Sequence, residues 1–347
     1  MAVAVNLTSI ISYLISFFRL IRFPNLVIMA LTMLLVKWCL VDTLLGLGGI
    51  VPAFSNLGFA LLVISTLLVA AGGYVVNDYL DTDIDAVNKS DKVIVGNTIS
   101  KKSAWNIYVT VNILGLLAAA LPAWEIGNVN YVLIQVVSGG LLWFYSYSYK
   151  RQVLIGNFVV SVLSAIIVLL PFYYEAMAEE KVYGTISVNF FFVKAYFAFA
   201  FLTTFSREII KDLEDMEGDK SEGCKTFPIV AGVVPAKILA IVFTVTVMAA
   251  VSYLQYFQYE SQDYISLIYF FVAVQLPSLW LMIKTARAKE KRDFHFASTL
   301  SKVVMVGGIL SMLIFRLTLP SPEERVDEPA SQTIDTELKE QKNAEDR

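Results

Sequence analysis

The sequence predicts an all-α integral membrane protein, a bundle of nine transmembrane helices. Three observations carry this. Hydrophobic residues make up 57% of the 347-residue chain, where a soluble domain is about 45–50% apolar. Apolar runs recur along the chain at the length of about 20 residues that a membrane crossing needs. Lys and Arg gather in every second connection between those runs, the asymmetry that sets orientation.

The spans fall near 24–41, 56–80, 103–123, 129–148, 154–174, 188–210, 236–257, 263–284 and 298–319. The first follows Arg19 and Arg22. It is long and lacks a small-residue cleavage site, so it is not read as a signal peptide. The second, LGFALLVISTLLVAAGGYVV, has no charge and runs directly into NDYLDTDID. The fourth ends at Lys150 and Arg151, the sixth in a second acidic cluster, and the eighth in the basic stretch Lys284 to Arg292. Pro171 and Pro277 are read as helix kinks. The Gly pairs 72–73, 139–140 and 307–308 are read as sites of close helix packing. Lys302, inside the last span, snorkels or meets an acidic head group. Residues 1–319 are expected to form the membrane domain, and the polar tail 320–347 has too little apolar surface to order itself.

Net charge is only -3, which gives no footprint for nucleic acid. Cys39 lies in an apolar run and Cys224 in a charged loop, so neither a disulfide nor a thiolate metal site is expected. His295, the only histidine, sits in the basic loop and is read as a surface residue. The loops with Lys89, Lys92, Lys101 and Lys102, with Lys150 and Arg151, and with Lys220 and Lys225 all fall on one side, together with the N-terminus. The sequence therefore places these connections in the cytoplasm and both acidic clusters at the cytoplasmic face of the cell membrane.

Those clusters repeat one spacing. Asp78, Asp81 and Asp85 stand at offsets 0, 3 and 7, and so do Asp212, Asp215 and Asp219. On a helix each set falls within an arc of about 60°. Glu208 extends the second stripe by a turn, while Asp83 points away from the first. Like charges on one stripe repel, so a cation is expected between them. Oxygen ligands without His or Cys suit Mg²⁺, which binds through a few carboxylates together with substrate phosphates. With lysines nearby, the two stripes read as a Mg²⁺–diphosphate site. A divalent-cation transporter is the reading from another class. It fits poorly, because its acids belong near the midplane rather than at one edge.

The chain resembles the UbiA superfamily of intramembrane prenyltransferases over roughly residues 15–318. NDxxDxxxD matches as Asn77, Asp78, Asp81 and Asp85; DxxDxxxD matches as Asp212, Asp215 and Asp219, followed by GDKSEGCKTFPIVAG. RLIRFPNLVIMA, with Asn25, and YSYSYKRQVLIGNFVVSVLSA look like the family's segments around the first and the fourth to fifth helices. In the loop after the first motif the chain departs from the family's usual Arg-Pro, with Lys92 and Val93 there instead.

The resemblance implies a nine-helix bundle around a central cavity with a cytoplasmic cap. It implies Mg²⁺-dependent prenyl transfer from a prenyl diphosphate, best geranylgeranyl diphosphate, to a lipid-like acceptor. Asp78, Asp81, Asp85, Asp212, Asp215 and Asp219 are the expected metal ligands. Asp78, Asp81, Asp212, Asp215 and Lys150 are the catalytic candidates. Asn77, Lys92, Lys150 and Lys225 are expected to meet the diphosphate, and Asn25, Tyr147 and Asn157 the substrates more broadly. Tyr74, Tyr79, Tyr145 and Tyr147 offer aromatic faces to an allylic cation. REIIKDLEDMEGDKSEGCKTFPI looks most like members that add a second geranylgeranyl group to geranylgeranylglycerol phosphate. Lys284 to Arg292 and Lys302 then serve a phosphorylated acceptor. An aromatic quinone precursor is the alternative acceptor.

Overall fold

The computed structural model describes residues 7–82, 93–178 and 180–318. The fold is all-helical. A short amphipathic α1 (Leu7–Leu20) leads into α2 (Phe23–Leu47), α3 (Asn56–Leu80), α4 (Lys101–Glu125), α5 (Val129–Tyr147) and α6 (Ile155–Ala178). Then follow α7 (Glu180–Ser221), the short α8 (Phe227–Ala231), α9 (Val233–Glu260), α10 (Tyr264–Arg287) and α11 (Lys291–Thr318).

Eight helices among the described residues are long and apolar enough to cross a membrane. The expected count of nine is therefore not reproduced as such. The remaining expected span, 188–210, lies within α7, whose 42 residues carry Lys194, Arg207 and Glu208 in that stretch. The protein is a multi-pass membrane protein. The tail 320–347 lies outside the described residues, and the membrane domain is described to Thr318.

Two helices organise the bundle. α3 packs against α2, α4 and α5, and α7 packs against α6, α9 and α11. Contacts of α2 with α6 and α11 join the halves. α3 ends with Asp78 and Asp81, α7 carries Asp212, Asp215 and Asp219 near its end, and contacts from the connection 148–157 bring these ends to one pole. Small residues permit the close crossings. A Cβ on Gly72 would lie 2.3 Å from Asn112 of α4, and one on Gly307 would lie 2.4 Å from the Ala273 carbonyl of α10. Gly140 has nothing within 4 Å, so the packing role does not extend to that residue.

The other pole is fixed by a buried ion network. Lys37 sits in a π-helical segment of α2, Val36–Val41. Its Nζ donates to Glu175 at 2.8 Å and to Asp42 at 2.6 Å. Glu175 also accepts from the backbone N–H groups of Ala53 at 2.5 Å and Phe54 at 3.2 Å. One carboxylate thus ties α2, α6 and the connection before α3. Glu125 does similar work one helix away, accepting from the Ser55 backbone and hydroxyl at 2.6 and 2.8 Å.

Candidate active site

The acid-bearing pole is built from connections that meet over the helix ends. α3 closes with Asn77 and Asp78 in its last turn and Asp81 as its C-cap. The turn 149–151 after α5 brings Lys150 onto this stripe. Its Nζ donates to Asn77 Oδ1 at 3.2 Å and forms an ion pair with Asp81. Gly156 allows this turn to lie on the start of α6, since a Cβ there would come within 2.8 Å of the Lys150 backbone.

Arg22 reaches the same stripe from the break between α1 and α2. Its backbone is left-handed, at φ 51, which costs a non-glycine residue on the order of 1 kcal/mol. The turn aims the guanidinium over the Tyr74 ring, 4.8 Å from its centroid, and 3.5 Å from Asp78. Asn25, one turn into α2, donates to the Tyr74 hydroxyl at 3.4 Å.

The second stripe stands on α7. Asn157 of α6 is buried and donates to Asp212 Oδ2 at 2.8 Å. Asp212 lies past the end of the span expected at 188–210. Burial pushes its carboxyl up to about 8; the Asn157 hydrogen bond works against this, and Glu208 and Asp219 add to it. A nearby cation would reverse that balance. Asp215 and Asp219 follow on the same helix, half-buried. Beyond α7 the chain folds back: the Lys225 backbone N–H donates to the Arg151 carbonyl at 2.8 Å, so the loops carrying Lys150 and Lys225 touch. The Cys224 thiol, buried there, is pushed up by burial and then by Asp219 and Glu222, so it is not a reactive thiolate.

Next to these groups, within the bundle, lies a cavity of about 330 Å³ whose lining includes none of the described triad aspartates. Asn25, Tyr74, Asn77 and Tyr145 line its upper part, with Arg22, Arg207, Glu208, Lys211 and Lys302. Its lower part is lined by Met29, Leu142, Ile167, Phe199, Ile309 and Met312 among others, and Tyr196. The cavity is thus charged at one end and mostly apolar at the other, where Thr32, Thr66 and Gln135 are polar members of the lining.

The sequence-predicted residues divide accordingly. Asn77, Asp78, Asp81 and Lys150 form one connected group, and Asn157 with Asp212 another. Lys225 is at the same pole with an exposed side chain. Tyr147 is 64% exposed and does not line the cavity, whereas Tyr145 does. Tyr79 packs on Trp105, with ring centroids 5.5 Å apart. Asp85 and Lys92 lie outside the described residues, as do Asp83 and Lys89. His295 is at the surface, 2.8 Å from Glu214. The sequence reading passed over Arg22, Arg207 and Lys211 as site residues. In the sequence Arg22 reads as an orientation charge, and the other two lie inside a motif marked by its aspartates.

The donors fit a hard divalent cation. They are carboxylates and an amide oxygen, without His or Cys. No three His, Cys, Asp or Glu side chains among the described residues already converge on one point.

Comparison with known proteins agrees with this architecture. The model of the UbiA prenyltransferase family matches residues 35–300. Digeranylgeranylglyceryl phosphate synthase of Thermococcus kodakarensis is 31% identical over 284 residues, 80% of this chain and 94% of that protein. A solved structure reported for digeranylgeranylglyceryl phosphate synthase in membranes shares the fold, with a TM-score of 0.61 at 22% identity, covering 89% of this chain and all of that one. A UbiA homologue from Archaeoglobus fulgidus bound to DMAPP and Mg²⁺ aligns with a TM-score of 0.51 at 18% identity, over 88% of this chain and 100% of its own. With the family model spanning most of the chain and a relative matched along nearly its whole length, this protein belongs to the UbiA prenyltransferase family and is a prenyltransferase.

Proposed function

We propose that the protein transfers a geranylgeranyl group from geranylgeranyl diphosphate to the free hydroxyl of geranylgeranylglycerol phosphate, at the cytoplasmic face of the cell membrane. The observation that carries this is the cavity, charged where the two Asp-bearing helix ends meet and apolar below. The relatives named for digeranylgeranylglyceryl phosphate synthesis support the choice of acceptor. The loop Lys content on the acid-bearing side supports the sidedness.

Asp78, Asp81 and Asp85 on one side and Asp212, Asp215 and Asp219 on the other would hold Mg²⁺, with Asn77 as an amide ligand to metal or diphosphate. The metal supplies Lewis-acid and charge stabilisation of the diphosphate. Lys150 and Arg22, already on the first stripe, hold the diphosphate oxygens and stabilise charge as the C1–O bond breaks. Lys225 extends this clamp from the connection after α7, and Lys92, outside the described residues, is assigned to the diphosphate with it. Asn157 keeps the Asp212 carboxylate oriented. Tyr145 presents its ring to the allylic carbon as it gains positive charge, while Tyr74 holds Arg22 over its own ring. The apolar lower cavity holds the prenyl tail and keeps water from the cation. The acceptor hydroxyl oxygen bonds to C1, diphosphate departs with the electron pair, and the hydroxyl proton goes to the released diphosphate.

The test uses purified protein in detergent with labelled geranylgeranyl diphosphate, geranylgeranylglycerol phosphate and Mg²⁺. Wild type should release diphosphate and form the doubly prenylated lipid. Asp78→Ala and Asp212→Ala should each lose turnover, at least 100-fold by the usual size of a removed charge-stabilising group, while remaining folded. Near-normal turnover in either variant at saturating Mg²⁺ would refute the two-stripe site.

A further inference from the structure

We propose that Arg207, Lys211 and Lys302 form a phosphate-binding shelf for the acceptor, set on the membrane side of the second Asp triad. This rests on the acceptor reading above. α7 runs towards the acid-bearing pole, so Arg207 and Lys211 come before Asp212 and lie deeper. Both line the cavity, as does Lys302 from α11.

The charges in the cavity wall do not cancel. Arg22 pairs with Asp78 at 3.5 Å, and Arg207 with Glu208 at 2.6 Å. Among the described residues Lys211 and Lys302 have no ion-pair or hydrogen-bond partner. Lys302 has Arg207, Lys211 and Arg22 as charged neighbours, with Glu214 as the opposing acid. Asp212 acts on Lys211, and Glu214 on Lys302, only beyond ion-pair distance; two lysines facing one recess still repel unless an anion joins them, and a phosphate monoester brings about −1.5 to −2 at neutral pH. Arg207 adds a directional donor: Nη1 is occupied by Glu208, but Nε is buried without a partner. A buried guanidinium N–H left unpaired is costly and is satisfied by a phosphate oxygen.

The ligand's shape follows from α11. One turn beyond Lys302, Met305, Val306 and Ile309 continue the wall as apolar lining. An anionic head with a hydrocarbon tail matches that order. No residue of the basic stretch Lys284 to Arg292 lines the cavity. Lys284 lies over the Phe296 ring at 5.3 Å, and the backbone N–H groups of Lys289 and Glu290 donate to Asp293 at 2.8 and 3.2 Å. Of the sequence-predicted basic group, Lys302 is the member that faces the cavity.

A phosphate here has two possible sources, the acceptor's monoester or the donor's diphosphate, and the experiment separates them. Lys211→Gln, Lys302→Gln and Lys302→Arg are compared with wild type on geranylgeranylglycerol phosphate and on its dephosphorylated counterpart. Binding of a non-reactive geranylgeranyl thiodiphosphate is measured in parallel. Each Gln variant should lose about tenfold in kcat/KM for the phosphorylated acceptor, the scale of one charge-assisted contact, chiefly through KM. Efficiency with the dephosphorylated acceptor and thiodiphosphate binding should stay within about twofold. Lys302→Arg should recover most of the loss. Equal losses on both acceptors, or weakened thiodiphosphate binding with an unchanged acceptor KM, would overturn the shelf. A wild-type protein that does not prenylate the phosphorylated acceptor refutes the acceptor reading and the shelf with it. A wild type that does, with Gln variants that show no selective loss, refutes the shelf alone.

Discussion

Replacing Glu175 by Gln should destabilise the protein strongly and leave the chemistry intact. Glu175 and Lys37 side chains are 0% and 2% exposed and 2.8 Å apart. The carboxylate accepts three hydrogen bonds: from Lys37, from Ala53 and from Phe54. Gln has the same size but only one acceptor oxygen, and its NH₂ must face either the ammonium or a backbone N–H. Lys37 then keeps Asp42 alone as counter-charge. Breaking one side of a buried pair costs about 3–5 kcal/mol. At about 2–4 °C per kcal/mol for a domain of this size class, the melting temperature in detergent should fall by on the order of 10 °C. The double variant Glu175→Gln with Lys37→Met removes both charges and should recover at least half of the loss, because much of it comes from the stranded ammonium. Prenyl transfer per folded molecule should change less than twofold, since the network lies at the pole away from the Asp triads. A single variant within about 1 kcal/mol of wild type, or a double variant as unstable as the sum of the singles, would refute the reasoning.

Three further outcomes follow from the same geometry. Asn157→Leu removes the donor to Asp212 and should lower kcat by about 10- to 100-fold, the equivalent of one hydrogen bond to a charged group, with the protein still folded; unchanged steady-state kinetics would remove Asn157 from the site. Gly307→Ala, whose Cβ would meet a backbone carbonyl at 2.4 Å, should cost about 1–3 kcal/mol in thermal unfolding. Gly140→Ala, with open space around it, should be neutral or slightly stabilising, so equal effects would contradict the described packing. For sidedness, Asn97→Cys in the turn after α3 and Ser261→Cys between α9 and α10 are both exposed, against native cysteines that are buried. An impermeant thiol reagent should label the first only from the cytoplasmic side and the second only from the other; labelling from one side would break the proposed topology.

Much of the site was legible because helical spacing is periodic. Asp78 and Asp81 share one helix end and Asp212, Asp215 and Asp219 another, as their offsets require. Sequence spacing cannot show which residue from elsewhere approaches a stripe. Hence Lys150 and Asn157 are candidates by sequence, but their pairing with Asp81 and Asp212 is visible only in the fold. Tyr147 and Tyr145 show the limit at a helix end. Two positions apart, they point to nearly opposite sides, and only the packing of α5 settles that Tyr145 faces inward. Lys37 and Glu175 carried a readable signal, since ionisable residues in apolar spans need partners. Their pairing across 138 positions did not. The membrane crossings were counted from apolar length alone. That measure blurs at α7, where the charges of the site enter the span itself.

The length of α7 has a mechanical consequence. At 42 residues, a continuous helix is about 63 Å long, about twice the thickness of the hydrocarbon layer. Tyr196 and Phe199 deep in the cavity, Arg207 and Lys211 above them, and the Asp triad at the end all stand on this single rod. Their axial separations are set by helical rise and not by how neighbouring helices slide. When the bilayer thins or thickens, such a helix responds by tilting. The α7 residues that line the cavity and those at its charged end then move as one body, so their separation is the same in membranes of different thickness.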